Sequence, residues 1–228
     1  RFGGVETRDE GRLYAKWLKE HEGEYDGVIF SMPIFADENG AITALQDAGV
    51  AVAVVNNPAQ LRLADGWTLY GGLGLNVTNP MSAARYAALG MQGMLLQPET
   101  ALTAMTAIAP GVPTAALCYG HLPLMMTRAC PLRNVRDCGK CQGGGTLRDR
   151  KGRDFTVTCS APGGAGVRTV YNPVPLYMGE RLREMPVDVA IAAFTTETPA
   201  RAAQILAMLL DARPFDNEFT RGLYYTNN

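Results

Sequence analysis

The sequence predicts an α/β fold built on a parallel sheet, and three observations predict it. Short apolar runs recur along the chain, as expected of strands buried on both faces. Helix-like segments follow several of them and stop at a glycine or start at a proline. The composition, 47% hydrophobic and 19% charged over 228 residues, gives one large domain a sizeable core. The net charge of −1 excludes a polycation, and no apolar run approaches a membrane span, so a membrane is not among the expected partners.

Residues 1–23 are charged, with an amphipathic patch at Leu13, Trp17 and Leu18, and read as a surface helix. Residues 27–30 (GVIF) and 50–55 (VAVAVV) read as buried strands, with a helix at 41–48 that Gly49 closes. A third strand is expected at 73–77 (LGLNV), followed by a helix over 81–89 that ends at Gly90. Residues 93–96 then form a strand, and Pro98 opens a helix running to about Ile108. The next strand is 113–119. After a cysteine-rich interruption come strands at 167–171 and 186–194, and Thr198 caps a helix that starts at Pro199 and runs to Leu210. The tail, 214–228, is aromatic and basic. Such strand–helix alternation closes either as an eight-stranded barrel or as an open doubly wound sheet. No G-x-G-x-x-G opens a helix after a strand, so a dinucleotide site has little support.

The interruption carries most of the chemistry. Cys130, Cys138, Cys141 and Cys159 are spaced C-x7-C-x2-C-x17-C. A C-x2-C pair delivers two soft thiolate ligands from one turn. A hairpin in the long gap, freed at Gly143, Gly144 and Gly145, can return Cys159 to that pair. Spacing alone favours a structural zinc over an iron–sulfur cluster, and both stay open. No signal peptide is visible, which argues against two disulfides and for a reducing cytoplasm. Cys118, inside an apolar strand, reads as a small core residue.

Functional groups of parallel sheets collect at the carboxyl ends of the strands. The polar residues expected there are Asn76, Asn79, Glu99, Tyr119, His121, Asn172 and Glu197. Of these, Tyr119, His121, Asn76, Asn172 and Glu197 are the catalytic candidates, with His121 as a general acid or base. Asparagine before proline is equally a turn former, and a single glutamate equally a helix cap. No G-x-S-x-G elbow and no H-E-x-x-H occurs, so ordinary hydrolase chemistry has no motif. Residues 128–153 hold eight basic side chains against two acidic ones. Arg128, Arg133, Arg148, Arg150 and Lys151 are therefore candidates for RNA contact, with Tyr119 and Phe155 as stacking faces. A solvated arginine-rich loop is the bland alternative.

The run YGHLPLMMTRACPL, the C-x2-C pair, LRDRKGRDFTVTC and VYNPVPLYM occur in that order. Together with GLGLNVTN and the tail FTRGLYY, they resemble the collagenase-like peptidase U32 family. The resemblance covers most of the chain from about Leu73 onward. It implies that residues 71–228 are the later part of a TIM-like (β/α) barrel with a cysteine-rich metal-binding insertion at 130–159. Residues 1–70 would be a variable leading segment of βα units packed on it, and the chain would be the C-terminal part of a longer protein, whose remainder is a partner. It further implies a 4Fe–4S cluster on Cys130, Cys138, Cys141 and Cys159, reversing the preference for zinc. Relatives with an assigned role hydroxylate RNA bases or the ubiquinone ring, and others are named proteases or collagenases. RNA and a protein or peptide are thus the implied substrates, with a non-catalytic zinc-stabilised binding module as the further alternative. His121 departs from the family, whose members usually carry arginine there.

Overall fold

A computed structural model describes residues 8–24, 52–62, 67–134, 137–141, 143–160 and 166–226. The expected strand at 27–30 and helix at 41–48 lie outside the described residues. So does Arg136 of the basic run.

The first helix, α1, is Arg8–Glu20. Its buried residues are Gly11, Ala15 and Leu18, spaced four and three apart on one face. Leu13 and Trp17 are exposed instead, so the buried stripe is narrower than the sequence patch suggested.

The main sheet is parallel apart from one short strand. Its strands are β1 (Val52–Val55), β2 (Thr68–Gly71), β3 (Met91–Leu95), β4 (Thr114–Gly120), β9 (Leu176–Tyr177) and β10 (Val189–Ala193). The order is β1-β2-β3-β4-β10, every neighbour parallel, with β9 antiparallel to the last two residues of β4. Among the described residues the strand order follows chain order without a reversal, and the strands do not close into a barrel. Without that reversal the described strands form no topological switch point of the doubly wound kind. A division at residue 70/71 would cut β2 before its last residue, in the middle of a continuous sheet.

Helices follow the strands as expected where capping is explicit. α2 (Pro80–Ala88) starts at Asn79, whose side chain accepts from Ser82 N, with proline at the next position. α4 (Pro199–Leu210) starts at Thr198, whose side chain accepts from Arg201 N, again before a proline. The helix expected from Pro98 to Ile108 is only one turn, α3 (Leu102–Met105).

The strand expected at 73–77 is a correction. Those residues begin as a 3-10 turn, Leu73–Leu75, and the strand lies earlier, at Thr68–Gly71. The glycines explain it. Asn56 Oδ1 accepts from Gly74 N at 3.0 Å, and a Cβ on Gly74 would sit 2.1 Å from the Asn56 carbonyl oxygen. The backbone packs directly on Asn56, which a strand side chain would prevent. Gly74→Ala is expected to destabilise the protein by about 3 kcal/mol, read as a shift in the urea midpoint.

Between β4 and β9 the chain makes an antiparallel excursion. It comprises β5 (Pro123–Thr127), β6 (Gly144–Arg148), β7 (Asp154–Cys159) and β8 (Arg168–Tyr171), in the order β5-β8-β7-β6. The hairpin expected before Cys159 is β6–β7, turning at Asp149 to Gly152. Residues 167–171, read with the parallel rhythm, belong to this second sheet as β8. The excursion has its own small core of Leu132, Val157 and Val170, against which Cys130, Leu147 and Phe155 pack. The larger core runs through β1 to β4 and takes in Tyr119, Tyr177, Ile205 and Tyr224. Among the described residues no helix is long and apolar enough to cross a membrane.

Candidate functional site

Three of the catalytic candidates meet at the carboxyl ends of β4 and β10. The two strands are parallel neighbours, with Ala192 opposite Tyr119 and Ala193 opposite Gly120. Gly120 has φ +148, and a Cβ there would lie 2.7 Å from the Ala193 carbonyl oxygen. That close approach turns the chain out of the sheet and leaves His121 beside the end of β10.

Glu197 is the centre of the group. It follows β10 and precedes the Thr198 cap of α4. Its side chain is 5% exposed. Tyr119 donates its hydroxyl to Oε1 at 2.6 Å, and the N–H groups of Thr195 and Thr196 donate to Oε2 at 2.8 and 3.0 Å. Burial opposes the negative charge. The Tyr119 hydroxyl and then the local backbone N–H groups outweigh it, and the carboxyl is held below its ordinary value of 4.5. Conversely, burial first and the Glu197 carboxylate second push the Tyr119 hydroxyl well above its usual range, so it stays a donor.

His121 lies against this carboxylate. Its Nε2 is 3.7 Å from Glu197 Oε1, and its side chain is 16% exposed. Nδ1 is 2.7 Å from the Asn172 carbonyl oxygen. A carbonyl only accepts, so Nδ1 carries the hydrogen and donates, and Nε2 is the nitrogen turned to Glu197. Asn172 N in turn donates to the Leu122 carbonyl at 2.9 Å. These two bonds close the neck of the excursion. The arrangement is a buried carboxylate with an imidazole nitrogen 3.7 Å away, a pair of the kind that can hold a proton.

The other candidates are placed differently. Asn172 contributes its main chain to the site. Asn76 is an exposed residue in the left-handed region, φ 52 and ψ 50, closing the 3-10 turn, which is the turn-forming role. Asn79 is the α2 cap, and Glu99 is exposed. Tyr119 is 2% exposed, packed against Phe194, Phe215 and Tyr177 at ring-centroid distances of 5.3, 6.0 and 6.5 Å. Phe155 packs on the small core. The expectation that Tyr119 offers a stacking face to a base is therefore corrected, because burial in the aromatic cluster covers its ring.

Of the basic candidates, Arg128, Arg133, Arg150 and Lys151 are exposed. Arg148 is bound two-pronged to Asp154 across the hairpin at 2.6 and 2.7 Å. Arg153 reaches Glu218 of the tail at 3.0 Å.

The cysteines are all free thiols. Cys138 and Cys141 share one turn, with Cys141 N donating to the Cys138 carbonyl. Cys159 N donates to the Gly143 carbonyl at 2.7 Å, two residues beyond Cys141. Cys130 packs on the small core of Leu132, Val157 and Val170. Among the described residues no three metal-ligating side chains form a group placed to hold an ion. In chemistry alone the donor set suits a thiolate centre: four free cysteines, with Cys159 tied to Gly143 two residues beyond the Cys138–Cys141 turn and Cys130 packed on the small core.

Sequence reasoning missed Arg168. It is 6% exposed, in β8, and its Nη1 donates to the Arg128 carbonyl at 2.8 Å and to the Gly166 carbonyl. The available signal was parity, because Arg168 stands two residues before the apolar, buried Val170 and so shares its face.

No protein-family model matches the chain, and no curated protein matches it. Among solved structures, that of nitroalkane oxidase from Streptomyces ansochromogenes overlaps 48% of this chain at 15% identity and a TM-score of 0.27. The chain spans 39% of that enzyme's length, and a likeness this slight bears on neither fold nor function.

Proposed function

We propose that the chain is an iron–sulfur protein of the collagenase-like peptidase U32 family. In this reading it assists hydroxylation of RNA bases, with proton transfer at His121 and Glu197. The observation that carries the reading is the convergence of Tyr119, His121 and Glu197 at the strand ends, at the neck of the cysteine-bearing excursion. The unreversed strand order supports the view that these strands are part of a TIM-like barrel. The exposed Arg128, Arg133, Arg150 and Lys151 support a phosphate-backbone contact.

Cys130, Cys138, Cys141 and Cys159 would hold the 4Fe–4S cluster, which when bound supplies one-electron chemistry. The roles of the remaining residues follow from the geometry. His121 takes up or returns a proton at Nε2. The Glu197 carboxylate stabilises the imidazolium that results, and the Asn172 carbonyl holds the ring in one tautomer. Tyr119 fixes the carboxylate and is buried away from substrate.

The test has two arms. Protein purified without oxygen should carry about four irons per chain. Cells lacking the gene should lose a nucleoside one oxygen heavier than its parent, detected by mass spectrometry of digested RNA. The wild-type gene should restore it, and His121→Gln should restore it about 100-fold less efficiently. Iron-free protein together with an unchanged nucleoside profile would defeat the reading.

A further inference from the structure

In the small sheet, Arg168 stands in β8 between two strands. Thr127 of β5 is opposite it on one side and Cys159 of β7 on the other. Residues directly opposite in an antiparallel ladder project on the same face, with Cβ atoms about 4.5–5.5 Å apart. Parity along each strand extends that face. Val157 stands two residues before Cys159, Val170 two residues after Arg168, and the two valines are themselves opposite. Val157 and Val170 are the buried core of this sheet, and Cys130 packs against them. Cys130, Cys159 and Arg168 therefore share the covered face.

The guanidinium also fastens two segments. Its Nη1 donates to the Arg128 carbonyl, two residues before Cys130, and to the Gly166 carbonyl at the start of β8. One side chain thus joins the stretch that delivers Cys130 to the strand beside Cys159. We infer that Arg168 is the positioning residue of the cysteine centre, holding two of its four ligand segments together and setting a fixed positive charge on the face where they stand.

This rests on the reading of the four cysteines as a metal site. Four thiolates around a zinc ion or a 4Fe–4S core leave a net negative charge, and a buried negative charge is costly unless compensated. A lysine or histidine can lose its proton on burial, whereas a guanidinium keeps its charge.

The experiment compares wild type, Arg168→Lys and Arg168→Gln, each full length and prepared without oxygen. Metal per chain, the rate of metal release to a chelator and the melting temperature of the metal-free form are measured on each. R168Q is expected to release metal about 10- to 100-fold faster than wild type. R168K keeps the cation and loses the fork, so it should load fully and release at an intermediate rate. If the centre is a cluster, the R168Q reduction potential should also fall. Should R168Q fail to fold, R168K alone decides, since it retains both length and charge. Loaded variants that release metal at the wild-type rate overturn the inference while leaving the cysteine centre standing. Variants that differ only in metal-free melting overturn it too, since Arg168 would then be a fold residue alone. A wild-type protein that holds neither iron nor zinc overturns the centre itself.

Discussion

Cys141→Ser is expected to abolish metal retention in protein prepared without oxygen, and to loosen the small sheet while leaving the parallel sheet folded. Cys141 is half of the turn that presents two thiolates together, and serine is a poor ligand for zinc or iron at neutral pH. The excursion's own core is three buried residues with a few partly buried neighbours, which is little to hold four strands. In structural thiolate sites the metal supplies on the order of 10 kcal/mol, more than so small a core can replace. Metal analysis and limited proteolysis read the two effects separately. Cleavage should appear between β5 and β8, and the fragments around β1 to β4 should persist. Cys118→Ala is the matched control. Cys118 is buried in β4, where burial pushes its thiol up to about 11, so it is a poor thiolate ligand. That variant should keep its metal. Full retention in C141S would remove the case for a centre built on these sulfurs.

Glu197→Ala is expected to cost about 3 kcal/mol at neutral pH, the largest effect at the strand-end site. It strips the acceptor from the Tyr119 hydroxyl and from two N–H groups at once, and leaves His121 facing a cavity. The pH dependence has a definite sign. Glu197 titrates below its ordinary 4.5 in the folded protein, so the folded state holds its proton less tightly than the unfolded one. The carboxylate's contribution is therefore complete above that ordinary value and disappears as pH falls through the lower folded value. Urea midpoints from about pH 7 to about pH 3 should show wild type and variant converging at the acid end. A gap of constant size would mean that the charge of Glu197 is not what stabilises the site.

The parts of the fold that were legible in the sequence are those with local causes. Asn79-Pro80 and Thr198-Pro199 each announce a capped helix start, and both helices begin there. The apolar runs around β3, β4 and β10 also fall where strands form. The LGLNV stretch failed because its apolar pattern mimics a strand, while its glycines serve a tertiary need, the close approach to Asn56 eighteen residues away. The same divide runs through the site. Tyr119, His121 and Glu197 were each placed at a strand end, but their meeting depends on β10 lying beside β4 across 78 residues of chain. Nothing local encodes that adjacency. Arg168 looked like one more basic residue because only the ladder partners reveal which face it shares.

The bond between Asn172 N and the Leu122 carbonyl has a consequence for how this architecture tolerates change. Departure and return of the long detour lie one hydrogen bond apart, two residues after β4 ends and four before β9 begins. The intervening fifty or so residues are thus a cassette, able to lengthen, shrink or be exchanged without respacing β4, β9 and β10. A different insertion can be grafted at this doorway while the Tyr119–Glu197 contact on its threshold stays put.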